Sequence, residues 1–119
     1  MKRFFAVLLL ILFLASPVMA FRGFVNSFST GEITADGAAV SSDCYLVSIL
    51  VITDGSNDAM VILYDNASAA SGTKLAEIKV NASDNYGGRN WPFPVKANNG
   101  IYADLTGTGA SCIVEYIPR

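Results

Sequence analysis

The chain has 119 residues, two cysteines, no histidine and a formal charge of −2. The acidic balance disfavours nucleic acid and anionic membrane surfaces as partners. The missing imidazole removes Ser-His-Asp and Cys-His catalysis, and zinc sites built on histidine.

The first twenty residues read as a secretory signal peptide. Lys2 and Arg3 form a basic start, residues 4–15 are an unbroken apolar run, and Ser16-Pro17 breaks it ahead of Val18-Met19-Ala20. The run is shorter than the roughly 20 apolar residues of a spanning helix. Cleavage after Ala20 is therefore expected, with secretion or display at the cell surface or in the periplasm and no stable membrane insertion afterwards. Loss of Lys2 and Arg3 takes eight basic residues to six against ten acidic ones, a formal charge of about −4. Residues 21–119 are long enough for one domain and one core, and too short for two.

That segment opens with FRGFVNSFS at 21–29. Phe21, Phe24, Val25 and Phe28 suit a peripheral strand or an assembly arm that pairs with a neighbour's sheet edge. In 30–42, Ile33 between polar residues predicts a short strand at 32–35, then a turn at Asp36-Gly37. The whole stretch 21–42 is expected to be peripheral.

Residues 43–65 (DCYLVSILVITDGSNDAMVILYD) organise the rest. Two Val- and Ile-rich runs flank a polar turn at 54–58, which predicts strand, turn and partner strand. Strict alternation puts Cys44, Leu46, Ser48, Leu50 and Ile52 on one face of the first run. Tyr45, Val47, Ile49, Val51 and Thr53 fall on the other. Both faces are apolar, so the strand is expected to be covered on both sides.

Residues 66–73 form a small, polar loop. The strand at 74–80 turns Ala76, Ile78 and Val80 inward and Glu77 and Lys79 outward. Residues 81–88 read as a loop. In 89–95 (RNWPFPV), Pro92 and Pro94 cannot donate to a ladder, which predicts an edge strand or an extended connection. A turn at 96–100 leads to a strand at 101–105 with Ile101, Ala103 and Leu105 on one face. Gly107-Thr108-Gly109 predicts a hairpin turn with positive φ. The last strand, 111–117, sets Cys112, Val114 and Tyr116 opposite Glu115, and Pro118 ends it. About seven strands and no helix define an all-β fold: an antiparallel β-sandwich, either a jelly roll or an Ig-like Greek key, with a small closed barrel as the second choice.

Few residues carry recognisable chemistry. In an oxidising compartment Cys44 and Cys112 are expected to form a disulfide between the first long strand and the last; the alternative is two buried thiols. No C-x-x-C, phosphate-loop or dinucleotide motif is present. Asp54-x-Ser56-x-Asp58 echoes the start of a calcium loop, but the later ligands and the closing glutamate are missing. Asp54 and Asp58 are thus weak calcium candidates, and turn capping suits them better. No metal or cofactor is expected. Tyr86, Trp91 and Phe93 lie within eight residues. They form a ligand platform on which sugar rings stack, or else Trp91 and Phe93 plug one end of the core. A carboxylate pair for glycoside hydrolysis needs a cleft that so small a domain scarcely offers. The Asn-x-Ser patterns at Asn66 and Asn81 read as incidental.

The VILYDN run at 61–66, the Ser71-Gly72-Thr73 turn and NGIYADLTGTGASCIVEY at 99–116 resemble a small β-domain of bacteriophage virion proteins and related bacterial proteins. The resemblance covers about half of residues 21–119 and implies a compact sandwich with a structural or assembly role and no catalytic site. Virion proteins of that kind carry no secretory signal, so the leader shifts the expectation to a cell-surface or extracellular role. The leading expectation is an exported, non-enzymatic structural protein, a subunit of a filament or surface structure that self-associates or meets another surface protein through its sheets. The alternative is a small carbohydrate-binding, lectin-like module with a glycan as partner.

Overall fold

Residues 26–119 are described by the computed structural model. The signal-peptide reading and Phe21, Phe24 and Val25 of the expected arm lie outside these residues. Eight strands follow one another: β1 Phe28–Ile33, β2 Gly37–Val40, β3 Cys44–Ile52, β4 Ala59–Tyr64, β5 Lys74–Val80, β6 Tyr86–Ala97, β7 Ile101–Thr106 and β8 Ser111–Pro118. A single 3-10 turn at Ala82–Asp84 precedes β6. Two four-stranded antiparallel sheets result, in the orders β1-β8-β3-β6 and β2-β7-β4-β5.

The pairing is nested. β4 pairs with β5, β3 with β6, β2 with β7 and β1 with β8. The chain behaves as one long hairpin, closed at 66–73 and wound so that its halves face each other. Apart from the β4–β5 hairpin, every connection crosses from one sheet to the other. Two expectations change as a result. β3 and β4 are not partners but lie in opposite sheets, and the turn at 54–58 is an arch between layers. The Gly107-Thr108-Gly109 turn also bridges the sheets instead of closing a hairpin. Its positive φ values are as expected, +112° at Gly107 and +68° at Gly109. A Cβ on Gly107 would sit 2.1 Å from the Asp58 carbonyl oxygen, so the arch closes only over glycine.

The core lies between the inner faces. One sheet contributes Cys44, Leu46, Ile49, Val51, Cys112 and Val114; the other contributes Ala59, Val61, Leu63, Val80, Ile101 and Ala103. β5, β7 and β8 present the faces that alternation predicts. β3 does not. In the β3–β8 ladder Leu46 pairs with Tyr116 and Ser48 with Glu115, so Val47 is one residue too many. This bulge reverses the alternation. Leu46, Ile49 and Val51 all point inward, while Ser48 and Leu50 point out. The apparent two-sided apolarity of β3 is thus largely one inward stripe with a phase shift. At the same level β6 passes four residues, Trp91-Pro92-Phe93-Pro94, against that single Val47. Two prolines without N–H groups cannot hold a regular ladder there.

Three further differences concern boundaries. β2 occupies a stretch where the sequence predicts a turn, which makes eight strands among the described residues and not seven. The strand expected at 32–35 begins earlier, at Phe28, and pairs with the chain's own β8. β6 begins at Tyr86, inside the predicted loop, because Tyr86, Gly87 and Gly88 pair with Ile52, Val51 and Leu50. β6 is an edge strand, as the prolines suggest, and β1 and β2 are edge strands too.

Candidate functional site

The two cysteines do not form a disulfide; both are free and buried. The register gives the reason. Cys44 lies opposite Pro118, and Cys112 lies opposite Val51, near the other end of β3. Seven residues of strand separate those positions, about 20 Å at ~3.3 Å per residue, whereas bridged Cα atoms lie within ~7 Å. Burial pushes both thiols up to about 11, with Asp43 and Asp65 adding to the effect at Cys44. Neither is a nucleophile near neutral pH.

The loop carboxylates are also occupied. Asp54 Oδ1 accepts the backbone N–H groups of Ser56 and Asn57, and its Oδ2 accepts the Asn57 side-chain amide. These bonds, led by the Asn57 side chain, hold the Asp54 carboxyl below its usual range. The stabilisation is therefore present above the titration of an unfolded aspartate and is lost as pH falls through the lowered value. Asp58 Oδ1 accepts the Ala82 N–H, Asp65 Oδ1 the Asn99 N–H and Asp36 Oδ1 the Leu105 N–H. Each closes the end of a ladder in the β2-β7-β4-β5 sheet. Among the described residues no group of three or more Cys, Asp or Glu side chains could hold a metal ion. Asn66 does similar work, accepting the Ser68 and Ala69 N–H groups within its own loop.

The aromatic trio divides. Trp91 packs against the core, with the Arg89 guanidinium 5.3 Å above its ring. Tyr86 and Phe93 stay in solvent, 68% and 88% exposed. Phe28 is 53% exposed and tilts against Tyr116 at 6.2 Å.

One depression lies on the outer face of the β1-β8-β3-β6 sheet. Its volume is about 220 Å³, and Ser48, Ile49, Leu50, Gly88, Arg89 and Asn90 line it. The ladder explains its shape. Along β6 the outward positions are Tyr86, Gly88 and Asn90, opposite Ile52, Leu50 and Ser48 of β3. Gly88 leaves a missing side chain between an aromatic ring and an amide. A Cβ there would lie 2.4 Å from the Ile49 carbonyl oxygen, so the two strands touch too closely for any other residue. Ser48 Oγ donates to Glu115 Oε2 at 2.9 Å, which fixes the polar wall. Of this set only Tyr86 stood out in the sequence. The Gly87-Gly88 pair is the available signal, since glycine inside a strand marks close backbone approach, but two adjacent glycines after Asn85 read equally as a loop.

The fold and its surface define a two-layer antiparallel β-sandwich with a shallow site on one outer face. No protein-family model, curated protein or solved structure matches the chain. Among the described residues no helix is long and apolar enough to cross a membrane.

Proposed function

We propose that this is an exported, non-enzymatic jelly-roll module that works by protein–protein contact, as a subunit of an extracellular filament or surface structure. Nested pairing of eight strands in two sheets supports the jelly roll over the Ig-like arrangement. The leader-like residues 1–20 support export. The resemblance of 61–66 and 99–116 to phage virion β-domains supports a structural role.

The observation that carries the assembly reading is the pair of edges of one sheet. β1 and β6 bound the same sheet, run in opposite directions and both display exposed aromatic side chains, Phe28 on one and Phe93 on the other. Translating a second copy along the sheet brings β6 of one copy antiparallel to β1 of the next. Such a head-to-tail contact uses two different surfaces and repeats without closing, as in a filament. The bulge in β1 and the prolines of β6 confine backbone pairing to short segments, so the aromatic side chains supply much of the contact.

Light scattering after size exclusion, with electron microscopy, tests this on the purified protein. Concentration-dependent oligomers that Phe93→Ser or Phe28→Ser abolishes are expected. A strict monomer at high concentration overturns the reading.

A further inference from the structure

We propose that the depression beside Gly88 is a binding site for a neutral saccharide, one ring of which sits on the outer sheet face between Tyr86 and Asn90. The outer face is ordered in rows. One row holds Tyr86, Ile52 and Ser111; the next holds Gly88, Leu50, Ile113 and Glu32; the third holds Asn90, Ser48, Glu115 and Ser29. Over β6 and β3, two apolar rows thus abut one polar row across the glycine gap. A pyranose has this duality, with C–H faces that stack on aromatic and aliphatic side chains and a rim of hydroxyls that need donors and acceptors.

The polar groups select the ligand class. Asn90 offers both donors and an acceptor. Glu115 takes the Ser48 hydroxyl on Oε2, which leaves its other oxygen as an acceptor. Glu115 is the one charged side chain of that polar row, which disfavours an anionic ligand. Its size is also informative. About 220 Å³ falls below the ~300–1,000 Å³ that enclose drug-sized ligands, which suits one ring of a chain that continues across the open sheet. Tyr86 and Leu50, 68% and 38% exposed, are available to it. Arg89, opposite the inward Ile49 and over the Trp91 ring, leaves β6 on the other face, so neither residue contributes a side chain to the site.

The test uses the purified full domain with xylo-, cello-, malto- and chito-oligosaccharides and a sulfated oligosaccharide, followed by calorimetry and backbone amide NMR. Saturable binding of at least one neutral probe is expected, with shifts at Leu50, Gly88 and Asn90. Tyr86→Ala and Asn90→Ala each weaken it tenfold or more. Both side chains are exposed, so both variants keep the wild-type amide spectrum elsewhere. Phe93→Ser, outside the depression, leaves sugar binding unchanged, which separates this proposal from the assembly reading. No saturable binding of any neutral probe overturns it. So does binding that survives both substitutions, or binding confined to the sulfated probe.

Discussion

Cys44 and Cys112 show how one pair of residues changes meaning with register. A leader-like start and an even cysteine count argue for a bridge, but the places of the two cysteines at opposite ends of the β3–β8 ladder forbid it. Each thiol is a small core residue that burial keeps protonated. In the unfolded chain both ionise near 9, and in the folded domain near 11. The stability they contribute is therefore complete below pH 9 and falls as pH rises through 11. Two measurements check this. Iodoacetamide leaves the native protein unmodified at pH 7.5 and labels both cysteines once it is unfolded. The melting temperature is unchanged by reductant but drops between pH 9 and 11. A doubly unlabelled chain after denaturation contradicts the assignment.

The bulge at Val47 decides more of this fold than any other local feature. Without it, Ile49 and Val51 would face away from Leu46, and half of β3 would expose its apolar side chains. With it, four aliphatic or thiol side chains of β3 line one core face. Val51→Ala is therefore expected to cost about 2 kcal/mol or more in chemical denaturation, as for a buried aliphatic truncation. Leu50→Ala, on the outer face, is expected to cost less than about 1 kcal/mol. Strict alternation gives the two positions no such ranking. Deleting Val47 removes the extra residue and leaves Leu46, Ile49 and Val51 on one face by plain alternation, so the register with β8 survives and the variant is expected to fold, which chemical denaturation checks. The hint in the sequence was Ser48, one hydroxyl in an otherwise apolar run. The proline pair of β6 at the same level is more than forty positions away in the chain and becomes a neighbour only through pairing.

At the scale of the molecule, nested pairing makes nearly every ladder non-local; β1 meets β8 across most of the described chain. Closing such loops before contacts repay the entropy slows folding. Refolding by stopped-flow is expected to take milliseconds to seconds, on the slow side for a domain of this length, and microsecond refolding would contradict the pairing order. The same winding sets Phe28 and Phe93 at opposite edges of one sheet and leaves the glycine gap on its outer face. The amino-acid sequence by itself determined the strand class, the inward faces of β5, β7 and β8, the proline-marked edge and the turn glycines, because propensity, two-residue periodicity and backbone sterics act over a few residues. Only the tertiary structure decided which strands pair, which sheet each joins, where the bulge falls, that the cysteines stay apart and that Gly88 leaves a gap between Tyr86 and Asn90. Those outcomes depend on register between distant segments, which no local pattern encodes.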